Sequence, residues 1–275
     1  MSGKKETDKS LPFDVAIVGL GIVGVHQITR EVEETIRRCR RTFVIDSGFG
    51  VVPYLSTICA NVTNLVPFYE KGKDRLLTYR KMAAEVVSAA ISGSPVCFAT
   101  YGHPLVYCYP AVLIQRAAEL LDLRIEIFPG ISSLDTFFVD LGIDAATDGL
   151  QMYEATDLLL RRRPIQIDVP CVLWQVTAVG EATYQTDRQS ADHFLPLQNY
   201  LLEFYPPEHP VTLVHSKTFP LLRSIVEKYR VGTLATDLGR GPQSGNLYIP
   251  PLHRRAIADE QLFKKLKSVT AKAVN

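Results

Sequence analysis

The 275-residue chain contains no apolar run approaching the roughly 18–20 residues of a membrane-spanning helix. It also has no internal repeat, coiled-coil heptad or low-complexity stretch, which excludes solenoid, fibrous and disordered architectures. Cysteine is sparse and scattered: Cys39, Cys59, Cys97, Cys108 and Cys171 form no C-x-x-C pair and show no zinc-type Cys/His spacing. They read as free thiols in a reducing cytoplasm, most of them small core residues. His26, His193, His209, His215 and His253 stand at no ligand spacing to acids or thiols, so no metal is expected. Charge of one sign is missing too. Lys and Arg number 30 against 29 Asp and Glu, a net charge of +1 that removes the electrostatic case for a nucleic-acid or anionic-membrane partner. The opening MSGKKETDKSLPF lacks the apolar segment of a signal peptide, so the expected setting is the cytoplasm.

What is present is the alternation of an α/β protein. Composition is that of a folded chain, 47% hydrophobic and 21% charged, and the length suits one large domain or two of about 100–150 residues. From Asp14 the runs DVAIVGLG, RTFVID, NVTNLV, PVCFATYG and LRIEIFPG read as strands, separated by helical patterns near 23–39, 54–59, 75–92 and 109–121. Beyond Phe128-Pro129-Gly130 come a helical stretch at 132–141, a polar turn region, and the strand-like runs CVLWQV, PVTLVHS, GTLATDL and GNLYIP. Their stronger alternation predicts a second, more antiparallel sheet. The expected organisation is a disordered tail over 1–11, an N-terminal α/β domain over 12–129 with a mostly parallel sheet, a C-terminal α/β domain over 130–255 with a mixed sheet, and a helical tail over 256–275. Arg161-Arg162-Arg163, just before a proline, reads as a solvated helix end.

Gly19-Leu20-Gly21-Ile22-Val23-Gly24 matches G-x-G-x-x-G after an apolar strand, and the next strand ends in Asp46, 22 residues past Gly24. Such glycines let backbone approach a pyrophosphate at a helix amino end. Any parallel sheet, however, needs small residues at its first strand-to-helix turn, and no catalytic acid with a pocket signal of its own accompanies this loop, which weighs against a nicotinamide enzyme. Stronger signals lie at later strand ends. Thr100-Tyr101-Gly102-His103-Pro104 and Phe128-Pro129-Gly130-Ile131-Ser132-Ser133 fall at the carboxyl edge of a parallel sheet, where small ligands bind. Ser132 can cap the following helix or bond a ligand. Phe68-Tyr69-x5-Arg75-x3-Tyr79 opens a helix with an apolar opposite face, and the i, i+4 spacing puts Arg75 and Tyr79 on one side. An arginine beside a phenol favours the phenolate, which makes Tyr79 a candidate base.

Taken in order, the Gly-rich first turn, YGHP, PGIS, Trp174-Gln175-Val176 and Leu247-Tyr248-Ile249-Pro250-Pro251 resemble the S-adenosylmethionine-dependent tetrapyrrole methylase superfamily from Asp14 to about Pro251. Within it the stretch FY-x5-R-x3-Y, YGHP and PGISSLDTFFVDLGIDAATDGLQMYEAT are most similar to the borosin peptide-backbone α-N-methyltransferases. The resemblance implies a cofactor in the cleft between two α/β domains, lined by Tyr101, Gly102, His103, Pro104, Ile131, Ser132, Gln175 and Leu247, with S-adenosylhomocysteine as product. It places Tyr69, Arg75 and Tyr79 at the peptide amide, makes the first Gly-rich loop a wall of the active site, and removes the ribose role of Asp46. It also implies a homodimer. Two departures stand out. Leu105 occupies a position where the family motif has glycine, and the sequence runs only 24 residues past Pro251, without the core-peptide extension of self-modifying members. The substrate is therefore expected to be a precursor peptide arriving in trans. Methylation of a tetrapyrrole or other small heterocycle, and a non-catalytic module that binds S-adenosylmethionine or peptide, remain the other readings.

Overall fold

The computed structural model describes residues 11–46 and 48–273. The expected tail lies outside them except for Leu11, which packs on the first core. In chain order the first half runs β1 (Val15–Gly19), α1 (Arg30–Arg38), β2 (Arg41–Ile45), α2 (Val51–Ile58), β3 (Val62–Asn64), α3 (Arg75–Gly93), β4 (Val96–Thr100), α4 (Tyr109–Leu120), β5 (Ile125–Phe128) and α5 (Ser133–Leu141). The second half runs α6 (Ala145–Asp148), β6 (Gln151–Glu154), α7 (Ala155–Arg161), β7 (Cys171–Trp174), α8 (Ala191–Leu201), β8 (Pro210–His215), β9 (Ile225–Arg230), α9 (Leu234–Arg240), β10 (Asn246–Ile249) and α10 (Glu260–Ala273).

β1–β5 form one parallel sheet in the order β3-β2-β4-β1-β5. Strand side chains alternate between faces, and the inner strands β1, β2 and β4 are covered on both, which is why their runs are mostly apolar. Ala16, Val18, Val44, Cys97 and Ala99 pack with residues of α1 and α2; Val15, Ile17, Phe43, Ile45 and Phe98 pack with residues of α3 and α4. Asp14 ties the start of β1 to that of β5 by accepting bonds from the Arg124 backbone N–H (2.9 Å), Nε (3.0 Å) and Nη2 (2.9 Å).

A second sheet has the order β6-β7-β10-β8-β9, with β6–β7 parallel and β7–β10 antiparallel, and is thus mixed. Its core joins Cys171, Leu173, Val211, Leu213, Leu247 and Ile249 to apolar residues of α7, α8 and α9. By contacts the chain divides into unit 1 (Met1–Ile143, Gly180–Gln189, Val214–Glu227) and unit 2 (Asp144–Val179, Ser190–Leu213, Lys228–Asn275).

Two local expectations are corrected. The helix expected across 23–39 is a 3₁₀ turn at Gly24–Gln27 followed by α1, because the Gln27 side chain folds back and its Oε1 accepts from the N–H groups of Ile22 (2.7 Å) and Val23 (2.9 Å). GTLATDL is not a strand but a 3₁₀ turn and α9. Leu234, Ala235 and Leu238 fall on one helical face and bury there, and Ala235 N–H donates to Gln198 Oε1 at 2.8 Å. The polar turn region expected after 141 contains α6, β6 and α7, and β9 is a further strand that alternation did not single out. Arg161 and Arg163 both pair with Asp157 (2.6 and 2.5 Å), and Arg162 pairs with Glu203 (2.6 Å), as suits an exposed helix end. Cys39, Cys59, Cys97 and Cys171 are buried, Cys108 is half-buried, and all five thiols are free. Among the described residues no helix is long and apolar enough to cross a membrane.

Candidate active site

Unit 1 gathers a cluster of phenols around one guanidinium. The Asp74 carboxylate caps α3, accepting the Leu77 N–H at 2.9 Å, so the helix begins at Arg75. Arg75 and Tyr79 then lie one turn apart, both half-buried, while Thr78, Met82 and Val86 face the core. Tyr69 comes from the turn after the 3₁₀ segment Val66–Phe68, and its ring meets that of Tyr79 edge to face, centroids 6.2 Å apart at 85°. Tyr109, the first residue of α4, meets the other side of Tyr79 at 6.2 Å. Tyr184 lies against Tyr69 at 5.0 Å and 34°.

Tyr184 arrives from far along the chain. The segment Gly180–Gln189 returns to unit 1 and pairs with the loop before α3: Gly72 N–H donates to Tyr184 O (2.8 Å), Tyr184 N–H to Lys73 O (2.8 Å), and Arg75 N–H to Ala182 O (3.1 Å). Arg75 Nε donates to the Thr183 carbonyl at 3.0 Å, and Lys71 pairs with Asp187 at 2.6 Å.

The electrostatics of the phenols follow from burial. Tyr69 is pushed above the ordinary phenol range by desolvation, with added repulsion from Tyr79 and Tyr101. Tyr79 is raised too, again by desolvation, but the Arg75 charge and a polar contact from the Tyr69 hydroxyl pull against that rise. Burial therefore outweighs the arginine in the net shift, while the Arg75 charge acts in the expected direction and favours the phenolate. It leaves Tyr79 the phenol with two acid-strengthening neighbours and Tyr69 a persistent hydrogen-bond donor. Burial also raises the Cys108 thiol beside them.

The second group of sequence-predicted residues sits where β4, β1 and β5 end side by side. Gly102 N–H donates to Gly21 O at 2.7 Å, and Gly102 has φ +69°, a left-handed conformation. A Cβ on Gly19 would lie 2.4 Å from Gly102 O and 2.7 Å from Gly130 N, and one on Gly130 would lie 2.4 Å from the same oxygen. Three glycines thus make a floor of backbone without side chains. Exposed on this rim are Tyr101, Leu105 and Ile131, while Pro104 is buried. His103 Nδ1 accepts the Leu105 N–H at 3.1 Å, so Leu105 fits this loop although the family motif has glycine there. Exposed apolar side chains beside closely packed glycine backbone suit the adenosine part of S-adenosylmethionine. Ser132 is buried and acts as the cap of α5, its Oγ accepting from Leu134 N–H (3.2 Å) and Asp135 N–H (3.3 Å) while donating to Asp135 Oδ2 (2.7 Å).

The first Gly-rich loop is unsuited to a pyrophosphate, since Gln27 already takes the amides of Ile22 and Val23. Asp46 is buried, its Oδ1 accepting from Gly48 N–H at 2.5 Å, and burial raises its pKa. Gln175 and Leu247 belong to unit 2. Gln175 has φ +56° and donates its N–H to Asn246 Oδ1 (3.2 Å), and Leu247 is fully buried opposite Leu173. Among the described residues no group of three or more His, Cys, Asp or Glu could hold a metal ion. Thr183, Tyr184, Cys108 and Tyr109 escaped the sequence reading; only Tyr109 and Cys108, next to YGHP, lay near a recognised motif.

Comparison with known proteins agrees with this architecture. Residues 14–225 match the family model of the Tetrapyrrole (Corrin/Porphyrin) Methylases. The methyltransferase/ribosomally synthesized cyclic peptide omphalotin A precursor of Omphalotus olearius is 30% identical, covering 94% of this chain and 62% of its own length. The type I borosin cyclic peptide precursor of Coprinopsis marcescibilis, also named a methyltransferase, is 30% identical over 86% of this chain and 62% of its own. The chain thus spans about six tenths of the length of these curated relatives. Among solved structures the methyltransferase CobJ superposes with a TM-score of 0.59 at 16% identity, covering 89% of this chain and 96% of that one. Uroporphyrin-III-C-methyltransferase from Thermus thermophilus superposes at 0.58 and 18% identity, covering 86% and 91%, a likeness of fold. The two α/β sheets, the glycine-floored strand ends and the match over most of the sequence together make this chain a member of the tetrapyrrole (corrin/porphyrin) methylase family.

Proposed function

We propose that the protein is an S-adenosylmethionine-dependent methyltransferase that methylates backbone amide nitrogens of a precursor peptide supplied as a separate chain, working as a homodimer in the cytoplasm. The observation that carries the reading is the cluster of Tyr69, Arg75 and Tyr79, two half-buried phenols and a guanidinium converging from one helix and the turn before it. The curated relatives, each named as both a methyltransferase and a cyclic-peptide precursor, support it.

A peptide nitrogen is a poor nucleophile because its lone pair is delocalised into the carbonyl. It becomes reactive when its proton leaves and the charge growing on the carbonyl oxygen is stabilised. Tyr79 is the group to take the proton, its ionisation favoured by Arg75 and by the Tyr69 hydroxyl. Tyr69 stays protonated and, with Arg75, donates to the carbonyl oxygen. When bound, S-adenosylmethionine supplies an electrophilic methyl group on a positively charged sulfur. On this reading Tyr101, Gly102, His103, Pro104, Ile131 and Ser132 hold it in unit 1, and Gln175 and Leu247 are the contribution of unit 2.

The test incubates the purified protein with methyl-labelled S-adenosylmethionine and the small peptide encoded beside its gene, and maps the product by mass spectrometry. Methyl groups on backbone amides are expected, with Tyr79→Phe lowering turnover by about 10²–10⁴-fold while cofactor affinity holds. Unchanged turnover in that variant overturns the base. Methyl transfer to a tetrapyrrole or other heterocycle, with none to peptide, overturns the substrate.

A further inference from the structure

The segment Gly180–Gln189 follows β7 in sequence, yet its bonds go to the loop and helix start that carry Tyr69 and Arg75. We infer that this strap is a positioning element of the methyl-transfer site, in which the Tyr184 ring sets the placement of Tyr69 and the Thr183 carbonyl that of Arg75. The inference rests on the proposed function.

Tyr69 stands at the head of residues 69–74, a connection without regular structure whose one internal backbone bond is Lys73 N–H to Glu70 O at 3.0 Å. A ring on such a loop is free to change rotamer unless something fixes it. Tyr184 supplies a second ring at 5.0 Å, tilted by 34°, in addition to the edge contact that Tyr69 makes with Tyr79. Arg75 presents a similar problem, having a long side chain and, among the described residues, no carboxylate partner. A carboxylate would fix the guanidinium but neutralise it. The Thr183 carbonyl fixes it through Nε at 3.0 Å and leaves the full charge for the reaction. The strap is itself stiffened at this point: Glu181 Oε1 accepts from both Thr183 N–H (2.8 Å) and Thr183 Oγ1 (2.6 Å), and Gln185 Nε2 donates to Thr183 Oγ1 (2.8 Å). Misplacement by about 1 Å can cost about 10²-fold in rate, so a group that touches no substrate can still govern turnover.

The experiment compares the full-length protein with Tyr184→Ala, Tyr184→Leu and Tyr184→Phe. Methylation kinetics are measured alongside ¹⁹F NMR of 3-fluorotyrosine-labelled protein, with the Tyr69 resonance assigned through Tyr69→Phe. Tyr184→Ala and Tyr184→Leu are expected to lower kcat about 10–100-fold, to leave the KM for S-adenosylmethionine within about twofold, to keep the melting temperature, and to shift the Tyr69 resonance. Tyr184→Phe, which retains the ring, is expected to behave as wild type. The inference is overturned if Tyr184→Ala turns over normally with Tyr69 unmoved, if Tyr184→Phe is as impaired as Tyr184→Ala, or if the loss of kcat in both ring-less variants tracks a loss of folded protein. Failure of the wild type to methylate any peptide would instead defeat the proposed function, and the Tyr69 resonance would still decide whether Tyr184 places it.

Discussion

Tyr79 illustrates how far residue spacing carries and where it stops. The i, i+4 relation to Arg75 and the nearby Phe68-Tyr69 pair are visible in the sequence, and the fold does bring the three side chains together. Spacing alone, however, does not contain burial, and burial reverses the expected net shift of the phenol. Since a phenol acts as a base only when ionised, turnover is expected to rise with pH through the neutral and mildly alkaline range. The groups that set this ionisation are Arg75 and Tyr69, which lower the pKa of the phenol and so favour its ionised form, and Cys108, which raises it. Replacing Arg75 by glutamine removes the largest of the lowering influences, so the rising limb of the pH–rate profile should move to higher pH as kcat falls. Profiles of wild type and Arg75→Gln with coincident limbs would place the titrating group elsewhere. Tyr184 could not be found in this way: it lies in a polar stretch without periodicity, and its relation to Tyr69 exists only in three dimensions.

At the scale of elements, the five parallel strands were the most legible part of the molecule. The inner strands β1, β2 and β4 are covered on both faces and carry mostly apolar residues, and β1 and β5 run into Gly or Pro at their ends. Legibility failed where a single side chain or a tertiary contact decided local structure. Gln27 breaks the expected helix at 23–39 by taking two amides, and contact with α8 turns GTLATDL into a helix although its two threonines favour a strand. The glycine floor gives an element-scale prediction. Gly130→Ala sets a methyl group 2.4 Å from a backbone oxygen that cannot withdraw without moving β4, so a loss of about 1–3 kcal/mol or more is expected. Gly142→Ala, at φ +63° but with nothing within 4 Å, should cost about 1 kcal/mol. Denaturant unfolding of the two variants checks the order; a Gly130→Ala protein as stable as Gly142→Ala would mean that the strand ends can part freely.

For the molecule as a whole, the response to acid is set partly by Asp14. Its hydrogen bonds with Arg124 hold its carboxyl down at about 2, against 3.8 in a free chain. The pair therefore stabilises the fold fully above the unfolded value, and that contribution drains away as pH falls through the folded one. With the guanidinium about half exposed, Arg124→Ala is expected to lower stability modestly at neutral pH and to have little effect near pH 2. Stability curves of the two proteins that stay parallel down to pH 2 would rule this linkage out.

The strap has a further consequence, one of timing. All five strands of the first sheet are translated by Phe128, but the acceptor of the Arg75 Nε–H lies 108 residues after it. At about 5–20 residues per second, ribosomes deliver Thr183 roughly 5–20 s after Arg75. During that interval a newborn chain can own its sheet and its phenols while the guanidinium has no anchor. If the strap positions the site as inferred, the proposed methyl transfer would be deferred until Thr183 is made, and products of synthesis interrupted before it would be expected to be inert.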